Sequence, residues 1–579
     1  MGRGHLAGGV VRLPAAMGID PHLRAAAEAW MADDPDPATR AEVADLLAGG
    51  DAAGLAARFA APLTFGTAGI RGPLGAGPAR MNRAVVRRVT AGLAVWLRGR
   101  GADGPVVLGR DARHGSAAFA HETAAVLAGA GMAVRRFAEP VPTPLVAYAV
   151  RALGAPAGVQ ITASHNPAGD NGYKVYVAGG LQLAPPDDAA VAAAISAVGP
   201  LAEVPVAAAV DPRITGVPAS VRADYLEAVC AVAGSAVEPG RLRVVVTPLH
   251  GVAGDLLLGA LAGAGFTDVV AVTDQLVPDP DFPTVSRPNP EEPGALDLAR
   301  ALAAEHDADL VLATDPDGDR IAVATPDEGW RMLSGDEVGC LLGEHLLVRD
   351  AHLPGRPLVA TTVVSARLLS RIAAAHGAAY AETLTGFKWL APLAERAGAA
   401  GQRFVLAYEQ ALGVMVGDAV RDKDGIGAGL LFATFAAGLK ASGATVADAL
   451  DHLARRHGVH VTVGRSLQVR ADPLDGLRRD PPRAVAGITV AAVADHAAAV
   501  RRHADGTSEP LTTPPTDLVA LTLADGSRCL ARPSGTEPLL KCYVEVVEPV
   551  TGGQVAAARA RAGKRAAALA DAFAGMLAG

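Results

Sequence analysis

One six-residue segment, Thr162-Ala163-Ser164-His165-Asn166-Pro167, places a serine hydroxyl where it could take part in chemistry. The apolar residues 157–161 before it are typical of a short parallel strand, and ligands of open α/β sheets gather where such strands end. A turn signal at Asn171-Gly172, before a second predicted strand, brings the amine of Lys174 near this hydroxyl. We therefore predict that Ser164 carries a phosphoryl group. The alternative is a plain strand-to-helix connection in which Ser or Asn caps the helix.

Three aspartates, Asp315, Asp317 and Asp319, alternate directly after the predicted strand 309–314. In a tight loop, carboxylates spaced by two can converge on a hard cation, and the intervening glycine lets the backbone fold tightly. An EF-hand is excluded because Arg320 stands at the position of its glycine. The pattern indicates Mg²⁺, since three carboxylates leave coordination positions for a phosphoryl oxygen and water. A solvated turn is the alternative.

Two glycine-containing loops carry arginines that could hold a phosphate. The segment Arg532-Pro533-Ser534-Gly535-Thr536 offers successive backbone N–H groups, two hydroxyls and a guanidinium, which together form a phosphate cradle. A Pro/Gly turn is the alternative for this loop. The second loop, residues 65–72, contains Arg71 and is weaker evidence when it stands alone.

Glu409 ends a predicted strand, where its carboxylate can accept hydrogen bonds from two adjacent sugar hydroxyls. A carboxylate at the start of a helix is the alternative. Lysines add cations near Glu409. The chain has only six lysines but 46 arginines. A lysine is therefore notable where its compact, titratable ammonium could matter. Lys388 and Lys423, like Lys174, fall in glycine-containing loop motifs, although the first two could equally belong to surface loops.

The composition limits the class of protein. At 579 residues the chain is too long for one core, and roughly three to five domains are expected. No apolar run is long enough to cross a membrane. The apolar stretch among the first residues is too weak for a signal peptide, and Met17 is an alternative start of the protein. A net charge of −8 argues against a nucleic-acid partner. Four cysteines without metal-ligand spacing favour buried thiols in a reduced cytoplasm.

Three segments share one plan of apolar strand, small-residue loop, alanine-rich helix, glycine-containing break and second strand. They begin at Val106, Val244 and Leu358, and each continues through a second helix into a further apolar strand. The βαβαβ order predicts three similar α/β domains with mostly parallel, mixed sheets. The last strands of these units end in Ser164, the aspartates and Glu409, so that three different chemical groups would meet if the domains surround one central cleft.

The pattern changes after about residue 456. Predicted strands at 461–463, 488–490 and 518–523, a hairpin turn at 524–527, a loop over 507–517 and a closing helix over 554–577 indicate a smaller C-terminal α+β domain. The expected domains are domain I at 17–213, domain II at 214–328, domain III at 329–456 and domain IV at 457–579.

The motifs resemble those of the α-D-phosphohexomutase superfamily, which contains phosphoglucomutases and phosphomannomutases. The resemblance covers residues 17–579, and the motifs follow one another in the same order. The resemblance implies that Ser164 is phosphorylated, that the aspartates bind one Mg²⁺ with the phosphoserine as a further ligand, and that Lys174 is a general acid or base. The further site residues that it implies are Arg71 and His165 beside the phosphoserine, and Arg320, Lys388, Glu409, Lys423, Arg532, Ser534, Gly535 and Thr536 for the substrate.

The same resemblance implies a mutase that interconverts the 1-phosphate and 6-phosphate of glucose or mannose. Phosphorylated Ser164 would give its phosphoryl group to a free hydroxyl of the sugar monophosphate. The resulting sugar bisphosphate, which also serves as primer, would turn over in the cleft and return its other phosphoryl group. The C-terminal domain would close over the ester and exclude water. We expect a cytoplasmic monomer or homodimer whose partners are small sugar phosphates.

One motif departs from the best-known branches, which have Glu-Glu-Ser or Glu-Met-Ser where this chain has Glu409-Gln410-Ala411. The missing serine removes one sugar-contacting hydroxyl. Residues 385–389 and 422–425 are similar to a branch that contains bacterial phosphoglucomutases, phosphopentomutases and glucose-1,6-bisphosphate synthases. A phosphopentomutase or a sugar-bisphosphate synthase is therefore the nearest alternative. A phosphoserine-dependent phosphatase and a catalytically silent sugar-phosphate-binding protein are alternatives from other classes.

Overall fold

A computed structural model describes residues 19–64, 69–208, 210–327, 329–468, 473–534 and 539–578. The α-helices are α1 (Pro21–Asp33), α2 (Pro37–Ala48), α3 (Ala52–Phe59), α4 (Arg83–Gly99), α5 (Ser116–Gly129), α6 (Thr143–Ala152), α7 (Asp187–Ser196), α8 (Ser220–Ala233), α9 (Gly254–Gly263), α10 (Thr273–Leu276), α11 (Asp297–Glu305), α12 (Gly335–Arg349), α13 (Leu368–Ala375), α14 (Phe387–Leu390), α15 (Pro392–Ala399), α16 (Gly425–Ala441), α17 (Val446–His457), α18 (Pro473–Arg479) and α19 (Val555–Ala578).

The strands are β1 (Ile70–Pro73), β2 (Val106–Arg110), β3 (Val134–Arg136), β4 (Ala157–Ile161), β5 (Asp170–Val177), β6 (Leu181–Gln182), β7 (Ile214–Gly216), β8 (Val244–Thr247), β9 (Val269–Ala271), β10 (Leu310–Thr314), β11 (Ile321–Thr325), β12 (Arg331–Met332), β13 (Arg356–Thr362), β14 (Ala379–Thr383), β15 (Gln402–Glu409), β16 (Gly413–Val416), β17 (Val459–Leu467), β18 (Ala484–Val485), β19 (Ile488–Asp495), β20 (Val500–His503), β21 (Ser508–Pro510), β22 (Val519–Leu523), β23 (Arg528–Pro533) and β24 (Leu540–Glu548).

Three sheets repeat one strand order. It reads β5-β4-β2-β3 in the first unit, β11-β10-β8-β9 in the second and β16-β15-β13-β14 in the third. The last three strands of each series pair in parallel, while the first is antiparallel to its neighbour. The predicted fold class of three α/β units with mixed sheets is confirmed.

The central strands are buried, as their continuous apolar runs indicate. Every residue of β4 and β10 is buried. The largest cluster of buried apolar side chains joins Val107 of the first unit, Leu312 of the second and Leu406 of the third. Because the three units share this core, the ends of their strands are held in fixed positions relative to one another.

The turn that follows the Ser164 loop differs from the expected one. Asn171 and Gly172 already belong to β5, and the turn lies at Ala168-Gly169. Gly172 is needed for a close approach of strands, since a Cβ there would lie 2.5 Å from the carbonyl oxygen of Thr162 and 2.7 Å from that of Ile70.

The fourth sheet has the order β17-β24-β23-β22-β19-β20-β21, with β18 paired to β19, and its pairs are antiparallel. Helix α19 packs on this sheet through Leu569 and Phe573, which confirms a C-terminal α+β unit. The predicted loop over 507–517 is wrong in one part, because the short strand β21 forms there on the open edge of β20.

Two features lie outside the predicted plan. The first sheet extends past residue 213, the limit predicted for domain I, because β7 pairs with β3. Helices α1 to α3 pack around Ala27, Val43 and Leu55 at the start of the described chain. Among the described helices, none is by itself long and apolar enough to cross a membrane, although α16 and α17 meet that measure jointly across a 91° bend.

Candidate active site

A cleft of about 830 Å³ is lined by residues from all four units. Its volume is that of a typical small-molecule site. The predicted site residues that line it are, in chain order, Arg71, His165, Asp319, Arg320, Glu409, Lys423, Arg532 and Ser534.

Ser164 lies three residues beyond β4 and is almost fully buried. Its Oγ donates a hydrogen bond of 2.8 Å to Oδ2 of Asp315 in the second unit, and Nδ1 of His165 lies 3.2 Å from the same oxygen. Ser164 has a φ of 54°, in the left-handed region that residues other than glycine rarely adopt. Within the described residues 157–177 no helix begins after Ser164, so the helix-cap alternative is excluded.

The three aspartates follow β10 and are buried, so the alternative of a solvated turn is excluded. Oxygens of Asp315, Asp317 and Asp319 all lie within 4.8 Å of one another. Among the described residues, Oδ1 of Asp317 and Oδ1 of Asp319 have no hydrogen-bond partner although both are buried. Buried carboxylate oxygens without donors are costly unless a cation binds them, so this cluster fits a hard divalent ion such as Mg²⁺.

Two lysines from other units contact the aspartate cluster. Nζ of Lys174, on β5, lies 2.6 Å from Oδ2 of Asp317 and 2.8 Å from Oδ2 of Asp319. Nζ of Lys423, just before α16, lies 3.0 Å from Oδ2 of Asp319 and 3.2 Å from Oδ1 of Asp422. The amine of Lys174 therefore lies at the aspartate cluster, and its direct partners are Asp317 and Asp319; its expected place beside the Ser164 hydroxyl stays a prediction.

The surroundings of the carboxyl groups separate their pKa values. Burial and the charges of Asp317 and Asp319 raise the pKa of Asp315 well above its ordinary value. Burial also opposes ionisation of Asp317, but the ammonium of Lys174 outweighs it and lowers the pKa of Asp317. The three carboxyl groups thus oppose one another's ionisation, and a bound divalent cation would favour the ionised form of all three.

His165 and Arg320 complete the surroundings of the hydroxyl. Burial and the charges of Arg320 and Arg71 hold the pKa of His165 well below its ordinary value, so the imidazole is neutral at neutral pH. The backbone N–H of Arg320 donates to Oδ1 of Asp315 at 3.0 Å, and Arg320 lines the cleft. Arg71, on the edge strand β1, is half-buried at the same cleft.

Glu409 is the last residue of β15 and is followed by a turn into β16, which excludes the helix-start alternative. Its Oε1 accepts a hydrogen bond of 2.7 Å from the backbone N–H of Gly386, and the residue lines the cleft. Lys388 does not lie among the residues that line the cleft; its Nζ is 3.8 Å from Oδ2 of Asp188.

The fourth unit contributes Arg532 and Ser534 to the cleft. Nη2 of Arg532 donates to the hydroxyl of Tyr543 at 3.0 Å, and its guanidinium lies 5.7 Å from the centre of that ring. Gly535 and Thr536, which belong to the same predicted phosphate loop, lie outside the described residues.

Family comparisons agree with this arrangement of units. The models of phosphoglucomutase/phosphomannomutase alpha/beta/alpha domains I, II and III match residues 62–200, 223–329 and 334–457, and the model of the C-terminal domain matches residues 479–562. This chain belongs to the phosphoglucomutase/phosphomannomutase family. The family resemblance of the sequence motifs is thereby confirmed.

Relatives of this chain within the phosphoglucomutase/phosphomannomutase family are named after different sugars. A protein named "Probable phosphomannomutase" from Haemophilus influenzae is 37% identical over 480 residues, which cover 80% of this chain and 93% of that protein. A "Probable phosphoribomutase" from Schizosaccharomyces pombe is 37% identical over 559 residues, 91% of this chain and 94% of that protein. An X-ray structure of a family protein from Burkholderia thailandensis shares the fold, with a TM-score of 0.63 at 23% identity over 87% of this chain and 97% of that one.

Sequence reasoning missed two cationic residues that line the cleft, Arg465 and Lys541. Lys541, on β24, lies directly opposite Arg532 of β23 in the strand register. This position of Lys541 opposite Arg532 is visible only once the strand register is known.

Proposed function

We propose that this chain is a phosphosugar mutase in which Ser164 carries the phosphoryl group, and that its substrates are the 1-phosphate and 6-phosphate of a hexose, glucose or mannose. As a member of a mutase family, the enzyme is an isomerase that moves a phosphoryl group within its substrate. The observation that supports the role of Ser164 is its hydroxyl 2.8 Å from Asp315, beside a cleft lined by cations from all four units.

The transfer step exchanges one phosphorus–oxygen bond for another. The oxygen of a free sugar hydroxyl bonds to phosphorus as the bond from phosphorus to Oγ of Ser164 breaks. As Oγ leaves phosphorus it takes a proton from the ammonium of Lys174, and the resulting amine accepts the proton of the sugar hydroxyl, so that Lys174 ends the step as an ammonium again. Arg71 stabilises charge on the transferring group, and the neutral ring of His165, 3.2 Å from Oγ, orients the serine.

The rest of the cleft holds the substrate. Arg532 and Ser534 bind the phosphate that does not react, and Glu409 accepts hydrogen bonds from sugar hydroxyls. Gly535 and Thr536 remain predicted partners of the same phosphate. Lys423 and Arg320, which line the cleft, remain predicted substrate-binding cations, whereas Lys388 does not line it and is predicted from the family resemblance alone. After the first transfer the bisphosphate turns over, and the reverse step restores the phosphoserine.

The metal of this proposal is Mg²⁺. Asp315, Asp317 and Asp319 would hold it together with an oxygen on Ser164. When bound, it supplies charge neutralisation at the phosphoryl oxygens.

A pentose phosphate mutase is the second candidate. The relative named phosphoribomutase aligns over 91% of this chain, whereas the one named phosphomannomutase aligns over 80%. The sequence Gln410-Ala411 next to Glu409 also lacks the hydroxyl expected for a hexose site. Ribose 1-phosphate and ribose 5-phosphate would then replace the hexose phosphates, with the same phosphoserine chemistry.

Initial rates on glucose 1-phosphate, mannose 1-phosphate and ribose 1-phosphate distinguish the two candidates, with Mg²⁺ and the matching bisphosphate as primer. The hexose proposal predicts a kcat/KM at least about tenfold higher for a hexose than for ribose. A preference for ribose contradicts it and establishes the second candidate. Release of inorganic phosphate faster than isomerisation indicates a phosphatase instead, and net accumulation of bisphosphate indicates a sugar-bisphosphate synthase.

We also propose that the enzyme acts in the cytoplasm, as a monomer or homodimer. All four cysteines are free, and Cys340, Cys529 and Cys542 are buried, as expected in a reducing compartment. Light scattering on the purified protein measures the assembly, and a species larger than a dimer contradicts this part of the proposal.

A further inference from the structure

A buried arginine outside the predicted site holds the loop that carries Ser164. Arg113 lies between β2 and α5 and is 4% exposed. Its Nη2 donates to the carbonyl oxygens of Ser164 at 2.7 Å and Asn166 at 2.6 Å. Its Nη1 donates to those of Pro167 at 2.7 Å and Asp170 at 3.2 Å. One guanidinium therefore binds four carbonyls of the segment 164–170, which we call the serine loop.

The guanidinium is itself fixed by neighbours in two units. Oδ1 of Asp111 accepts hydrogen bonds from the backbone N–H of Arg113 at 2.9 Å and from the hydroxyl of Ser116 at 2.6 Å. Oδ2 of Asp111 lies 3.4 Å from Nε of Arg113. The buried ring of Phe282, from the second unit, lies 4.9 Å from the guanidinium carbon. Arg113 is thus held between the serine loop and the unit that supplies the aspartates.

The loop needs such support because of the backbone at Ser164. A φ of 54° is unfavourable for a residue with a Cβ, and it persists only where the surroundings hold it. Besides the bonds from Arg113, the described turn has a bond of 2.9 Å from Ser164 N–H to Oγ1 of Thr162. If the turn relaxed, Oγ would leave its position 2.8 Å from Asp315.

We propose that Arg113 is a positioning residue for phosphoryl transfer, because it holds the left-handed turn that aims Oγ of Ser164 at the aspartate cluster. This inference rests on the proposed function of Ser164. Arg113 does not line the cleft, so its role is in the transfer step and not in sugar binding. A lysine cannot reproduce the role, since its compact ammonium lacks the planar fork that reaches several carbonyls at once.

The test compares Arg113→Lys with Arg87→Lys. Arg87 is a matched control because it lies in the same unit, is 13% exposed and pairs with Glu122 at 2.6 Å, without a hydrogen bond to the serine loop. The measurements are kcat and KM on the sugar phosphate that the wild type prefers, the single-turnover rate of Ser164 phosphorylation by sugar bisphosphate, and Tm. For Arg113→Lys we expect kcat and the phosphorylation rate to fall about 10- to 100-fold, with KM within about threefold. Arg87→Lys should keep kcat within about twofold.

Equal kcat values for the two variants, or a loss in Arg113→Lys that appears mainly in KM, would overturn the proposal. If Arg113→Lys does not fold, Arg113→Gln replaces it, since a neutral amide has one NH2 group where the guanidinium contacts four carbonyls. Its kcat should fall at least about 10-fold at unchanged KM, and an unchanged kcat overturns the proposal. Absence of turnover in the wild type would overturn the proposed function as well, whereas normal wild-type turnover with normal variants overturns only the role of Arg113.

Discussion

Two buried ammonium groups, on Lys174 and Lys423, lie against the aspartate cluster. For Lys423, burial opposes its charge, but Asp319 and Asp422 outweigh it and raise its pKa, so this lysine stays protonated. A buried carboxylate without a partner costs several kcal/mol, and the two lysines offset part of that cost at Asp317 and Asp319. We therefore expect the fold to persist without the metal ion, and the chemistry to require it.

Chelation should abolish turnover and leave the fold intact. With excess EDTA we expect a Tm within about 3 °C of the Mg²⁺-bound enzyme, because the lysines keep the carboxylates paired. Activity should return when Mg²⁺ is added in excess. EDTA already saturated with Mg²⁺ is the control for the chelator itself. Unfolding on chelation, or turnover that survives it, would contradict this account of the site.

The sequence identifies site residues where the signal is local. Ser164 and Asp315 stand next to apolar strands, so their position at a strand end can be predicted from the chain alone. Arg113 acts on backbone carbonyls, which leave no mark in the sequence of the turn that it holds. Lys541 meets Arg532 only through the register of two strands, which pattern reasoning does not determine.

At the level of elements, the strands with long apolar runs are predictable and the short exposed ones are not. Strands β4, β10 and β15 follow from their buried residues, and helices α5 and α9 end at Gly129 and Gly263, in the glycine-containing breaks of the repeated plan. Strand β21 is exposed at all three residues, so no apolar pattern marks it, and it forms because β20 offers a free edge.

Strand β24 joins the fourth unit to the third through a buried carboxylate. Glu545 accepts hydrogen bonds from the backbone N–H of Arg367 at 2.8 Å and from its Nε at 2.7 Å. It also pairs with Arg528 at 2.9 Å and His460 at 3.0 Å. Burial opposes the charge of Glu545, but the hydrogen bond from His460 and the two arginines outweigh it and hold its pKa far below the ordinary value.

Glu545→Gln should therefore weaken the attachment of the fourth unit. Removal of this charge takes the closest carboxylate from the buried Arg528 and from the partly exposed Arg367, and we expect a loss of about 3 kcal/mol in the free energy of unfolding at neutral pH. Glu548→Gln, on the same strand but in ion pairs with the more exposed Arg561 and Arg565, should cost at most about 1 kcal/mol. Urea unfolding measures the free energy of unfolding of both variants, and equal losses would contradict the role assigned to Glu545.

The difference in stability between wild type and Glu545→Gln should depend on pH. The stabilisation from a carboxyl with a depressed pKa is complete above its unfolded value of 4.5 and is lost as the pH falls below that value. The difference in stability between wild type and Glu545→Gln should therefore shrink below about pH 4.5. A difference that stays constant into acid would show that the charge of Glu545 is not the cause.

On the scale of the whole molecule, the site exists only where the units meet. The hydroxyl comes from the first unit, the aspartates from the second, Glu409 from the third and Arg532 from the fourth. The sequence predicts the units because each repeats a local pattern. Their arrangement depends on a shared core in which Val107, Leu312 and Leu406 pack together, and that packing follows only from the structure.

The central claim is that Ser164 carries a phosphoryl group, and the intact mass of the whole protein tests it most directly. Wild type and Ser164→Ala are each incubated with Mg²⁺ and either glucose 1,6-bisphosphate or ribose 1,5-bisphosphate. Their intact masses are then measured by mass spectrometry. We predict that the wild type gains the mass of one phosphoryl group with at least one bisphosphate, and that Ser164→Ala gains none and loses turnover by on the order of 10³-fold or more. A wild type that never gains this mass, or a Ser164→Ala variant that gains it equally, would contradict the account.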